Sequence, residues 1–204
     1  RPRWVDGNQQ IKASGIDIVL CLDLSHSMAA EDFKDDSGQR INRLDMARHV
    51  IGEFIKDRRS DRIGLVAFAE RAYLAAPLTL DHDFLFNNMA RLNFELVRND
   101  RGTAVGAGLV ASVNRLRDVK SKSKIVILMT DGRNNAGQVP PLTAAEAATA
   151  LNIKVYTIGV GTTGMVPWPV VDMAGRKRYQ QQQFDLDEET LKEIADRTGG
   201  KYYR

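Results

Sequence analysis

Five oxygen-bearing side chains stand where they could hold a metal ion. Asp23, Ser25 and Ser27 lie two residues apart directly after an apolar run, Asp131 follows another such run, and Thr103 lies between the two. Carboxylates and hydroxyls suit a hard divalent cation, Mg²⁺ or else Mn²⁺ or Ca²⁺, rather than zinc or copper. Hydroxyls are neutral donors, and if both carboxylates act partly through water, the cation would keep charge with which to attract another carboxylate. For any one of these residues the alternative is helix capping.

The elements that must position these residues follow from hydrophobic patterning. Nearly unbroken apolar runs at 16–22, 62–69, 124–129 and 154–160 predict strands buried on both faces. Apolar residues recurring every three or four positions predict helices at 44–55, 105–116, 142–151 and 191–195. Their alternation predicts a doubly wound α/β domain, a mostly parallel sheet flanked by helices on both faces.

A parallel sheet would gather the five residues at one place. In open α/β sheets, ligands bind at the carboxyl ends of the strands. Asp23 and Asp131 both end predicted strands, and Thr103 precedes a predicted helix. We therefore expect all five side chains to converge at a single sheet edge.

Three other segments are less regular. Residues 72–80 predict a short extra strand, antiparallel at an edge, and residues 32–42 predict a polar surface loop. Residues 161–183 contain two prolines and four consecutive glutamines, which favours a protruding hairpin or loop. The Gly-x-Gly-x-x-Gly spacing at 159–164 follows a predicted strand but precedes no helical pattern, which argues against a dinucleotide site.

Composition narrows the class of protein. The chain has 204 residues, 43% of them hydrophobic, and a net charge of +3, which suits one globular domain and not a polyanion binder. The single cysteine, Cys21, lies in an apolar run, so we expect it to be buried. We expect residues 1–14 to form an N-terminal tail, either juxtamembrane or simply exposed, and residues 15–204 to form the domain.

The motif residues resemble a known site. Asp23-x-Ser25-x-Ser27, Thr103 and Asp131 match, one for one, the metal-ion-dependent adhesion site of von Willebrand factor type A domains. The resemblance implies a Rossmann-like fold in which both serines bind the metal directly. It further implies that Thr103 binds directly or through water, and that both aspartates act mainly through water.

A narrower likeness is to bacterial aerotolerance (Bat-type) proteins. It is carried by GIDIVL at 15–20, AEDF at 30–33, DRIGLVAFA at 61–69, PLTLD at 77–81 and YTIGVG at 156–161. It implies the soluble part of a membrane-anchored bacterial protein, with membrane segments absent from this chain and the domain facing the periplasm or cell exterior. His26, where such domains often have Gly, and Arg133, where Bat-type proteins are expected to have Glu, depart from the pattern.

We therefore expect a divalent-metal-dependent protein–protein interaction module, not an enzyme. Its protein partner would supply an Asp or Glu to the metal, with His26, Arg101 and Arg133 on the rim. The alternative is a Mg²⁺-dependent phosphohydrolase using Asp23 as nucleophile. That chemistry needs a second carboxylate two residues on, where this chain has Ser25.

Overall fold

A computed structural model of the chain describes residues 15–100 and 102–204. The strands are β1 (Asp17–Asp23), β2 (Phe33–Lys34), β3 (Arg40–Ile41), β4 (Arg62–Phe68), β5 (Ala72–Thr79), β6 (Lys124–Thr130), β7 (Ile153–Gly159), β8 (Gly164–Val171), β9 (Lys177–Phe184) and β10 (Tyr202–Tyr203). The α-helices are α1 (Arg43–Lys56), α2 (His82–Arg91), α3 (Val105–Leu116), α4 (Pro141–Ala150) and α5 (Glu188–Thr198). Short 3-10 helices span His26–Ala29 and Phe94–Val97.

Six strands form the central sheet, in the order β10-β7-β6-β1-β4-β5. All neighbours pair in parallel except β5, which runs antiparallel to β4 at the edge. β1 lies in the middle and every one of its residues is buried. This arrangement confirms the predicted parallel sheet and the predicted antiparallel edge strand.

Helices cover both faces of the sheet, as the alternation of elements predicts. On one face, Leu20 and its neighbours pack with residues of α1 and α2, such as Ile51 and Leu85. On the other face, Cys21 packs with residues of α3, α4 and α5, such as Leu109. Cys21 itself has no exposed surface, as expected. Alternate residues of β1 pack into the two cores. The end of β1, from which the next loop starts, is therefore fixed by packing on both faces of the sheet.

The helix ends follow local chemistry. The Asp187 side chain accepts a hydrogen bond from the Thr190 backbone N–H and caps the start of α5. Gly199 ends the helix with a φ of 70°, in the left-handed conformation that glycine adopts without steric cost. Asn42 caps α1 in the same way, by accepting from the Asp45 N–H.

Two segments differ from the sequence-based expectation. Residues 32–42 are not simply a surface loop, since they contain the small antiparallel β2–β3 pair and the Asp32 side chain is only 4% exposed. The helix α2 was not predicted from the sequence. The third irregular segment forms the β8–β9 hairpin, one of its two predicted forms. In the part of the chain that is described, no helix is long and apolar enough to cross a membrane.

Candidate metal centre

The carboxyl ends of β1 and β6 bring Asp23 and Asp131 together. These strands pair in register, with Leu22 opposite Met129. Next to that pair, the Thr130 hydroxyl donates a hydrogen bond of 2.6 Å to one carboxylate oxygen of Asp23. Asp131 follows at once, so both carboxylates lie at the same edge of the sheet, as predicted.

The loop after β1 folds back on Asp23. The second carboxylate oxygen of Asp23 accepts the Ser25 N–H at 2.7 Å. The hydroxyls of Ser25 and Ser27 lie 3.0 Å apart, and the Ser27 hydroxyl is close enough to Asp131 to lower the pKa of that carboxyl. Four of the five predicted ligands are thus linked by direct contacts.

Thr103 is held beside them by the loop that follows β6. The Thr103 N–H donates to the Asn135 side chain at 2.7 Å, and the Thr103 carbonyl accepts the Asn135 N–H at 3.0 Å. The Asn134 side chain accepts the Val105 N–H at 2.9 Å, at the start of α3. These two asparagines join the loops that carry Thr103 and Asp131.

A small cavity of about 160 Å³ opens over the site. Its lining residues are Ser25, His26, Ser27, Asp100, Gly102, Thr103, Arg133 and Asn135. His26 and Arg133 are exposed, which places both on the rim where they were expected. Arg101, the third expected rim residue, lies outside the described residues. The aspartates Asp23 and Asp131 are at most 1% exposed and lie behind the serines.

The burial of these two carboxylates disfavours their charged forms. Desolvation raises the pKa of Asp23 to about 7, and repulsion from Asp131 adds to the rise. Desolvation also raises the pKa of Asp131, although the Ser27 hydrogen bond and the charge of Arg43 oppose it. A bound cation would relieve both effects, because it supplies the positive charge that this pair lacks.

Arg43, at the start of α1, is the buried cation nearest the site. Its side chain is 1% exposed and lies 3.4 Å from an Asp131 carboxylate oxygen. Its Nε and Nη2 donate to the Asp32 carboxylate at 2.8–3.1 Å. Its Cζ lies 4.9 Å from the centroid of the Phe184 ring. At Gly161, where φ is 117°, an added Cβ would overlap this guanidinium. Arg43 therefore links the candidate site to β8–β9 and to Asp32.

The residues present fit a hard divalent cation. Three hydroxyls and two carboxylates converge, and none of the described residues that line the cavity carries a sulfur donor. Across residues 15–100 and 102–204, no three His, Cys, Asp or Glu side chains cluster so as to hold a metal ion. The candidate site is of a different kind, because hydroxyl oxygens make up most of its donors.

Sequence reasoning missed Arg43, Thr130 and the two asparagines. For Arg43 a signal exists, because it occupies the same four-residue row as Ala47, Ile51 and Ile55, all buried on α1. An arginine in an otherwise apolar row indicates a buried partner. For Thr130 and the asparagines, nothing in the local pattern distinguishes a positioning hydrogen bond from ordinary loop polarity.

Comparison with known proteins gives one family. The model of the von Willebrand factor type A domain matches residues 17–204. The structure of an aerotolerance-related membrane protein from Bacteroides fragilis is 25% identical in sequence and has a TM-score of 0.77. The match covers 93% of this chain and 91% of that one. BatB from Bacteroides thetaiotaomicron is 27% identical, with a TM-score of 0.77 covering 93% and 90%.

A more distant structure shares the fold. Proximal thread matrix protein 1 from the mussel byssus is 21% identical, with a TM-score of 0.64 covering 93% of this chain and 44% of that one, and its own MIDAS motif is occupied by zinc. This chain spans about half the length of the curated relatives it matches, 54% of the one from Borreliella burgdorferi. The chain belongs to the von Willebrand factor type A domain family, and its structural neighbours there include Bat-type aerotolerance proteins of Bacteroides.

Proposed function

We propose that the domain binds one divalent cation, Mg²⁺ or Mn²⁺, and through it a protein partner that presents an Asp or Glu. Ser25, Ser27 and Thr103 would bind the ion through their hydroxyls. Asp23 and Asp131, behind them, would act mainly through water. The observation that carries the proposal is the convergence of these hydroxyls at one cavity in front of two buried carboxylates.

The cavity has room for a partner's contribution. A water molecule takes about 30 Å³ of liquid volume, so a cavity of about 160 Å³ holds an ion, a few waters and one carboxylate. Because both carboxylates would act mainly through water, they would offset the ion's charge only in part. An acidic side chain that enters the cavity would complete the coordination and bring its partner onto this surface.

The rim supports the choice of an acidic partner. Arg133 is exposed at the cavity and lies two residues beyond Asp131. A charge at the edge of an interface acts mostly on the association rate, and salt screens it. His26, on the opposite loop, adds a second exposed side chain that the partner would meet.

Binding fits this site better than hydrolysis. A phosphatase that uses Asp23 as nucleophile would need a carboxyl two residues on to carry the proton, and Ser25 cannot do so at neutral pH. Asp23 is also fully buried, with both carboxylate oxygens hydrogen-bonded to Ser25 and Thr130. It is therefore poorly placed to attack a phosphorus atom.

The Bat-type relatives support a proposal about where the domain lies in the cell. One of them is described as a membrane protein, and this chain covers only about half of its curated relatives. We infer that the domain is the part of a membrane-anchored bacterial protein that faces the periplasm or cell exterior. Protease protection of the full-length protein in intact and permeabilised cells would test the orientation.

Calorimetric titration of metal-stripped protein tests the site. We expect one Mg²⁺ or Mn²⁺ per chain, and loss of that binding in Asp23→Ala and Asp131→Ala. Asp185→Ala, which removes an exposed carboxylate after β9, is the matched control and should bind normally. Unchanged affinity in both site variants would remove the assignment, and metal-dependent turnover of a phosphate ester, lost in Asp23→Asn, would replace binding by catalysis.

Peptide binding tests the partner's chemistry. Immobilised domain would be offered two peptide pools that are identical except that Asp and Glu in one are Asn and Gln in the other. We expect capture of the acidic pool alone, lost in EDTA and in Thr103→Ala, and a slower, less salt-dependent association for Arg133→Ala. Equal capture of both pools, or capture that persists in EDTA, would contradict a metal bridge.

A further inference from the structure

The strand β9 of the β8–β9 hairpin is exposed along almost its whole length. Every residue from Lys177 to Gln183 is exposed, on both faces of β9. The hairpin is fixed at its base, where Phe184 and Val166 are buried near Ala30. Within the described ranges β9 pairs only with β8, so its other side is the edge of a two-stranded sheet.

The direction of the backbone groups on each strand can be assigned. The Pro167 carbonyl accepts the Glu31 N–H at 3.0 Å, so it points away from β9. In antiparallel pairing, alternate residues point their N–H and C=O toward the partner strand. Val166 and Trp168 therefore face β9 and bond Gln182 and Gln180, which lie opposite them.

The remaining residues of β9 point their backbone groups outward. They are Lys177, Tyr179, Gln181 and Gln183. The turn agrees with this assignment, because the Asp172 N–H donates to the Arg176 carbonyl at 3.0 Å, which puts the even-numbered residues on the inner side. The outer edge of β9 thus offers four N–H and four C=O groups in a row.

The two edges of the hairpin differ in a way that favours one of them for pairing. On β8 the outward positions include Pro167 and Pro169, which have no N–H, and Glu31 already occupies the Pro167 carbonyl. Prolines at outward positions block an edge against further strands. β9 has no proline, so its edge remains open to another strand.

We propose that β9 pairs antiparallel with β9 of a second copy of this chain, giving a four-stranded sheet with a twofold axis at Gln181. Only residues whose backbone groups point out of the hairpin can pair with the second copy, so each must lie opposite another such residue. Because these residues alternate along β9, the twofold axis passes through a residue and not between two residues. Centring on Gln181 sets Lys177 directly opposite Asp185 of the second copy, and the converse. Each pair joins opposite charges on neighbouring strands, which stabilises antiparallel pairing.

The side chains between these ion pairs suit a self-pairing strand. Gln181 faces its own copy. Gln183 faces Tyr179, whose hydroxyl donates to Glu31 of its own chain at 2.7 Å and can still accept a hydrogen bond from an amide across the axis. Glutamines stacked across strands form hydrogen-bonded ladders. The Lys177 side chain is 52% exposed, although it also contacts Glu31, so it can reach across the new edge. This dimer does not depend on the proposed metal site.

Sedimentation equilibrium across a concentration series tests the dimer. We expect mass to rise from 22.7 kDa toward twice that value. Gln181→Pro removes two central N–H donors per dimer but none that bonds β8, so it should raise the dimer dissociation constant at least tenfold. Gln181→Ala keeps the N–H and should dimerise nearly as wild type does. A monomer at every concentration, or a dimer indifferent to Gln181→Pro, would overturn the proposal.

Cysteine crosslinking tests the register. In an antiparallel hydrogen-bonded pair the Cα atoms are about 5.5 Å apart, within disulfide range. Under mild oxidation Gln181→Cys should form a covalent dimer, whereas Gln180→Cys, offset from its own copy along the strand, should not. Cys21 is fully buried and serves as the internal unreactive thiol. Crosslinking of Gln180→Cys in place of Gln181→Cys would rule out this register.

Discussion

The guanidinium of Arg43 lies 3.4 Å from a carboxylate oxygen of Asp131, and each side chain is 1% exposed. The same guanidinium holds Asp32 at 2.8 Å and lies over the Phe184 ring. One buried cation therefore contacts a candidate metal ligand, the segment after β1 and the base of the hairpin. The position of Asp131 depends on this contact as well as on β6, the strand that it follows.

Replacing Arg43 should destabilise the fold strongly. Arg43→Met would leave Asp32 buried without its cation, and removing one member of a buried ion pair costs about 3–5 kcal/mol. Urea unfolding measures the change. Arg48→Met is the matched control on the same helix, because Arg48 pairs with the half-exposed Asp45 and should cost at most about 1 kcal/mol. Equal losses of unfolding free energy in the two variants would show that the buried Arg43–Asp32 pair stabilises the fold no more than the Arg48–Asp45 pair does.

The Arg43–Asp32 pair should give stability a dependence on acid. Burial disfavours the charged form of Asp32, but the hydrogen bonds and charge of Arg43, with those from Thr162, outweigh it and lower the pKa. A lowered folded pKa means that this contribution is full above the unfolded value, about 3.9, and is lost as pH falls through the folded one. Asp32→Asn should therefore cost about 2 kcal/mol at pH 7, a deficit that shrinks below about pH 4.

Urea unfolding of wild type and Asp32→Asn from pH 7 to pH 3 measures that difference. Asp36→Asn, on the exposed turn of the same segment, should change the free energy of unfolding by less than about 0.5 kcal/mol at pH 7. A deficit for Asp32→Asn that stays constant into acid would mean that its charge does not stabilise the fold.

Gly161 should tolerate no side chain. Gly161→Ala combines an unfavourable φ of 117° with overlap of the Arg43 guanidinium, whereas Gly164→Ala has a φ of 118° and open space around it. Backbone strain costs about 1–3 kcal/mol in each, and overpacking adds about 1–3 kcal/mol to the first alone. Thermal unfolding of the two variants isolates the overlap. Similar losses would mean that Arg43 moves aside at little cost.

Thr130 should tune metal affinity without binding the metal. Its hydroxyl donates to Asp23 and accepts the Gly132 N–H at 3.0 Å. Losing a hydrogen bond that orients a ligand typically weakens metal binding by about 10–100-fold. Thr130→Val should show that loss in calorimetric titration with Mg²⁺, while Thr130→Ser keeps the hydroxyl and should bind nearly as wild type. Weak binding by Thr130→Ser as well would assign the effect to packing.

The layers of the fold and the residues of the candidate site could be predicted from the amino-acid sequence. Unbroken apolar runs require strands covered on both faces, and four-residue apolar rows require helices to cover them. Residues that end parallel strands must share an edge, so Asp23 and Asp131 could be placed together from their positions alone. The helix α2 was not predicted, although it is as long as α4. The β2–β3 pair was not predicted because its strands have only two residues each.

The contacts that hold the candidate site in place could not be predicted in this way. Arg43 and Asp131 are 88 residues apart, and Thr130 and Asp23 are 107 apart. Such contacts depend on the register of β1 against β6 and on which side of α1 faces the sheet edge. The open edge of β9 depends likewise on which residues of β8 point outward. Local propensity fixes elements, but the direction of each polar group is set by packing between elements distant in sequence.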